Sequence, residues 1–139
     1  MVLAAFGTSV DEATLVRQAT MQPGGTDIGE VERLARVYGL DATIEEATVD
    51  RVQSLLAADR LAIVYLNRRI FALRNWGGIR HLIHHAQIHC VVPTRITPAS
   101  VAYLDPLQPR PQRRTRQRFQ AAVDALGRAC VVCGSRKPE

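Results

Sequence analysis

The sequence predicts an α+β domain in which helices pack on one side of a largely antiparallel sheet. Two observations carry this. Up to about residue 58, apolar residues recur at helical spacing behind capping signatures. From Leu61 onward the apolar segments are short, rich in β-branched residues and bounded by Gly, Pro or Asn. Helices first and strands after is the order of an α+β domain, not of an alternating parallel sheet. At 139 residues and 47% hydrophobic, the chain has room for one compact core and not for two, so residues 1–139 are expected to form one domain.

Met1-Val-Leu-Ala-Ala-Phe6 is an apolar helical segment with no capping residue ahead of it, and reads as the last turns of a helix that begins before Met1. Ser9 and Glu12 form a capping box opening a helix to about Thr20, with Ala13, Val16 and Ala19 on its inner face. Gln22-Pro-Gly-Gly25 breaks it. Asp27 and Glu30 repeat the signature, and Ile28, Val31, Leu34, Ala35 and Tyr38 mark a helix that Gly39 ends. Thr48 caps a third helix that buries Val49, Val52, Leu55 and Leu56. Strands are expected at Leu61–Leu66, Arg69–Leu73, Gln87–Val92, Val101–Leu104 and Ala129–Cys133. One helix interrupts them, from Thr115 to Leu126, with Phe119, Ala122, Val123 and Leu126 inward and Gly127 as its stop.

Charge is unevenly divided. Residues 1–66 carry ten acids against five arginines, whereas residues 67–139 carry thirteen bases against three acids. The densest run, Arg110 to Arg118, suits an acidic peptide, nucleic acid or a membrane surface as a partner, or simply a solvated face. No aromatic residue interleaves with these arginines, which argues against a stacking platform for single-stranded nucleic acid. No apolar run is long enough to span a bilayer, and Met1 to Phe6 lacks the basic flank of a signal peptide. Three cysteines, Cys90, Cys130 and Cys133, suggest no disulfide framework and fit a reducing, cytoplasmic setting.

The chemistry-bearing residues are His89, in the strand Gln87-Ile-His-Cys-Val-Val92, and Asp105, at the end of Val101-Ala-Tyr-Leu-Asp105. A base and the carboxylate that orients it make two thirds of a nucleophilic triad. Cys90 is next to His89, and strand alternation sends its side chain to the other face, into the core with Ile88 and Val92. No cysteine or serine in the chain is suitably placed to be the nucleophile.

The order of these elements resembles the bacteriocin-processing peptidases, papain-like cysteine proteases that cut after a double-glycine leader. The resemblance rests on Met1-Val-Leu-Ala-Ala-Phe-Gly7, Ser9-Val-Asp-Glu12, Gly24-Gly25-Thr26, Leu34-Ala-Arg-Val-Tyr-Gly-Leu40, His89-Cys-Val-Val92, Leu104-Asp105-Pro106 and Arg116-Gln-Arg-Phe119, and covers roughly residues 1–133. It implies a papain-like fold, His89 as catalytic base, Asp105 as its orienting residue, a peptide or leader peptide as substrate, a membrane transporter as partner, and no cofactor or metal. The family's glutamine and nucleophilic cysteine would precede Met1, so the chain as given is expected to be inactive or N-terminally shortened. Two other readings stand beside it. One is a non-catalytic module that holds peptides, with Trp76-Gly77-Gly78 as a lip of the groove. The other is a nucleic-acid-binding protein whose Cys130-Val-Val-Cys133 is a zinc half-site completed by His84, His85 or His89; residues 113–139 also resemble the opening of an HNH nuclease.

Overall fold

The computed structural model of the chain describes residues 1–23, 25–72 and 88–136. The expectations for Gly24, Leu73, Trp76, Gly77, Gly78, His84, His85 and Gln87 lie outside the described residues. In chain order the elements are α1 (Val2–Ala5), α2 (Glu12–Gln18), α3 (Ile28–Val37), β1 (Leu40–Glu46), α4 (Val49–Ala57), β2 (Leu61–Asn67), α5 (Arg68–Ala72), β3 (Ile88–Ile96), β4 (Ser100–Leu104), β5 (Gln112–Thr115), α6 (Arg116–Asp124) and β6 (Ala129–Ser135). Among the described residues six strands form one sheet in the order β1-β6-β2-β3-β4-β5, with every neighbouring pair antiparallel. The α+β class expected from the sequence is the class found.

Capping explains where the helices start. Asp27 accepts the N–H of Glu30 at the head of α3, Thr48 that of Arg51 at the head of α4, and Thr115 that of Arg118 at the head of α6. The cap of α2 is Asp11, which accepts the N–H of Thr14, and not Ser9. Its expected inner face is corrected too: Ala13 and Val16 are exposed, the latter by 49%. Gly39 closes α3 at φ +85°, a conformation that costs a side-chain-bearing residue, and lets the chain reverse directly into β1.

Three strand expectations also change. Arg69–Leu73, expected as a strand, is helical through Ala72, because Asn67 Oδ1 accepts the N–H groups of Arg69 and Ile70 and so opens α5. Leu40–Glu46 and Gln112–Thr115, not anticipated as strands, form the two outer strands of the sheet. Charged residues suit such edges, where they discourage pairing with stray chains.

Helices cover both faces of the sheet, rather than the single face expected. On one side α4, α5 and α6 enclose Val64, Leu66, Val91, Val101 and Tyr103. On the other, α1 and α3 pack with Leu40, Ala42, Tyr65, Val92 and Cys133. The first core is anchored by three rings: Phe71 lies 4.9 Å from Tyr103 and 5.6 Å from Phe119, and Tyr103 lies 6.0 Å from Phe119, centroid to centroid. Tyr103, 1% exposed, thereby fixes β4 two residues before Asp105. No helix among the described residues is long and apolar enough to cross a membrane.

Candidate active site

Strand register brings the two chemistry-bearing residues together. In β3 His89 stands opposite Leu66 and Val92 opposite Leu104, so the start of β3 and the end of β4 share one end of the sheet. Beyond Leu104 the chain turns at once. The N–H of Gln108 donates to the carbonyl of Asp105 at 3.0 Å, and Pro106 occupies the turn position that its fixed φ favours. Within this turn the N–H of Leu107 donates to Asp105 Oδ1 at 2.8 Å. The other carboxylate oxygen, Oδ2, lies 2.9 Å from His89 Nε2, with both side chains nearly enclosed at 10% and 12% exposure. The Asp-Pro pair therefore serves as turn former and as holder of the histidine at once.

This geometry selects a tautomer. A carboxylate oxygen 2.9 Å from Nε2 favours the proton on that nitrogen, which leaves the lone pair of a neutral His89 ring on Nδ1. A ring so held offers Nδ1 as its proton-accepting atom. The backbone N–H of Leu107, which the sequence reading did not single out, fixes the carboxylate from its other oxygen. The signal for it was the turn propensity of Asp-Pro.

None of the three cysteines is placed to use that base. Cys90 faces Tyr65 across the strand pair, on the side of the sheet away from the ring of His89, and packs with Val92 and Cys133. Its expected companion Ile88 is instead 64% exposed. Burial pushes the thiols of Cys90, Cys130 and Cys133 up to about 11, the opposite of the depression that a histidine-paired nucleophile shows. Cys130 and Cys133 also belong to the two different cores, on opposite faces of β6, so they cannot close on one ion. The zinc half-site reading loses its ligand pair on that geometry.

A cavity of about 550 Å³ lies on the α1–α3 side of the sheet, the face opposite to that of His89. Its walls include Val2 and Leu3 of α1, Leu15 of α2 and Leu34 of α3, together with Cys90 and Pro106, the immediate chain neighbours of His89 and Asp105.

No protein-family model matches the chain by sequence, and no curated protein sequence does. Solved structures do match in three dimensions. A Bacillus anthracis protein described as a C39-like peptidase superposes with a TM-score of 0.74 at 17% identity, covering 99% of this chain and 86% of that one. The peptidase domain of Streptococcus ComA, a bi-functional ABC transporter involved in a quorum-sensing pathway, superposes with a TM-score of 0.67 at 13% identity, covering 97% and 85%. The chain has the fold of these peptidase domains. The resemblance to bacteriocin-processing, papain-like peptidases read from His89-Cys-Val-Val92 and Asp105-Pro106 thus extends to the fold.

Proposed function

We propose that residues 1–139 form one cysteine-peptidase-type domain of the leader-processing kind, in which His89 is the general base and Asp105 its orienting carboxylate. The supporting observation is the enclosed 2.9 Å contact between His89 Nε2 and Asp105 Oδ2, with the second carboxylate oxygen tied to Leu107 N–H. The 139 residues contain no thiol in reach of Nδ1. Catalysis in this reading requires a cysteine carried by a segment ahead of Met1, continuing α1. A cytoplasmic setting and a peptide-exporting transporter as partner belong to the same reading, the first supported by three unpaired cysteines.

The steps balance as follows. Nδ1 of His89 takes the thiol proton, and the thiolate attacks the carbonyl carbon of the scissile peptide bond. As the C–N bond breaks, the imidazolium returns the proton to the leaving amine, and a thioester remains. Water then attacks the thioester with His89 accepting its proton, and the thiol leaves reprotonated. Asp105 holds the ring in register throughout.

The test is a protein extended before Met1 by a helical segment bearing Gln and Cys-Gly-Pro, offered a peptide with an internal Gly-Gly. Mass spectrometry should find cleavage after the second glycine. The rate should drop on the order of 10²–10⁴-fold in His89→Ala, as for loss of a general base. Saturable peptide binding without cleavage by the extended protein would instead make this a binding module.

A further inference from the structure

The structure divides the arginine-rich run into two groups. Arg114 turns inward: its Nε donates to the carbonyl of Phe71 at 3.3 Å and its guanidinium lies 5.4 Å from the centre of the Phe71 ring. Arg116 donates to Thr97 O at 3.1 Å and Gln53 Oε1 at 3.2 Å, and pairs with Asp50. These two serve the fold. Arg113, by contrast, is exposed on β5, and Arg110 is exposed between Pro109 and Pro111.

Register adds a further arginine. Arg95 of β3 and Arg113 of β5 both stand opposite Ala102 of β4, one from each side. The three form a single row across the sheet and project to one face, opposite to that of buried Val101 and Tyr103. Two strand spacings separate the arginines, roughly 10 Å, with only the methyl of Ala102 between them. On this face α3 covers β1 and β6, at the far edge, and Arg95 and Arg113 are exposed. Neither pairs with a carboxylate among the described residues, and no Asp or Glu occurs from residue 106 to residue 123.

We propose that this row and the outer edge of β5, which pairs with no strand among the described residues, form a docking surface for an acidic peptide in extended conformation. Among the described residues β5 is an end strand of the sheet, and none of them pairs with its outer backbone groups, which suit one further strand. An extended peptide laid there presents alternate side chains to the Arg113 face about every 7 Å, and carboxylates at those positions meet Arg113, Arg95 and Arg110. Gln112 stands opposite Tyr103, two residues before Asp105, so the surface begins beside the His89–Asp105 pair. Nucleic acid is disfavoured by the chemistry: no aromatic residue lies in the row, and a strand edge offers hydrogen bonds that only another polypeptide matches. The inference rests on the reading of the domain as one that engages peptides, and adds that the segment flanking the reacting bond is acidic.

Fluorescence anisotropy at low salt tests it, using a labelled decapeptide of alternating Glu and Val and its Gln-Val twin. The wild-type chain should bind the acidic peptide about fivefold or more tightly than the twin, the multiplied effect of two exposed ion pairs. Arg95→Gln with Arg113→Gln should erase the preference, and Arg113→Lys should keep most of it. Equal binding of both peptides, or a preference that survives the double variant, overturns the proposal. So does tighter binding of a single-stranded oligonucleotide of equal charge. Cleavage by the thiol-bearing extended protein with no acidic preference overturns this inference alone and leaves the catalytic reading standing. An arginine-dependent preference without cleavage supports the surface while sinking the catalytic reading.

Discussion

Replacing Asp105 by Ala removes two contacts at once, and their energies can be worked from the geometry. The contact to His89 Nε2 at 2.9 Å lies between side chains only 10% and 12% exposed. An imidazole–carboxylate contact in such surroundings contributes about 1.5–3 kcal/mol, the range for polar contacts to charged groups. The Leu107 N–H at 2.8 Å from Oδ1 is solvent-accessible, so water replaces the carboxylate and the loss is about 0.5–1 kcal/mol. Asp105→Ala should therefore cost about 2–4 kcal/mol, which at a slope of about 2 kcal/mol per molar urea lowers the unfolding midpoint by about 1–2 M. The share due to the pair is isolated by a cycle of Asp105→Ala, His89→Ala and the double variant, with a coupling of about 1–3 kcal/mol expected. Single losses that add to within about 0.5 kcal/mol would refute the claim that the two side chains hold each other.

Phe119→Ala should destabilise the domain by about 3–5 kcal/mol, since its ring is 1% exposed and packs on Phe71 and Tyr103; a urea midpoint near wild type would contradict that packing. Leu107→Ala should change stability by less than about 0.5 kcal/mol, because its side chain is 60% exposed and only its backbone N–H is used. All three cysteines should alkylate slowly: with thiols at about 11, their reaction with iodoacetamide at pH 8 should run about a hundredfold below that of a free thiol, and one fast-reacting cysteine would overturn the placement. The same burial makes stability pH-dependent. These groups have folded values raised above the usual 9, so their contribution is full below about pH 9 and is lost as pH rises toward about 11. A stability curve flat across that window would contradict their burial.

Much of this fold is legible in the sequence wherever one local rule acts alone. Asp27, Thr48 and Thr115 cap the helices they precede, Gly39 and Gly127 take the positive φ expected of helix stops, and the apolar runs of β2 and β6 are strands buried on both faces. The misses occur where rules compete. Asp41, Glu45 and Glu46 mask the alternation of β1, because an edge strand tolerates acids that an inner one would not. Arginines hide β5 for the same reason. Arg-Ile-Phe71 reads as a strand by composition, yet the carboxamide of Asn67 satisfies the first helical N–H groups and tips it to α5. At the site, His89 and Asp105 stand out because His-x-Val-Val and Asp-Pro each pair a reactive side chain with a strand end. The Leu107 anchor shows only indirectly, through the turn propensity of Asp-Pro, since a backbone N–H itself leaves no mark in residue identity. The Arg95–Ala102–Arg113 row is invisible for another reason: it depends on the register shift in β3 between Pro93 and Arg95, which sets the face that Arg95 takes.

The claim that His89 is a base held by Asp105 is tested most directly by the protonation pattern of its ring. Long-range nitrogen–proton NMR at a pH where the ring is neutral distinguishes Nε2–H from Nδ1–H. The geometry predicts Nε2–H with a bare, basic Nδ1, and loss of that preference in Asp105→Ala. A ring protonated at Nδ1, or a tautomer indifferent to Asp105, would contradict the assignment of this pair as base and orienting carboxylate.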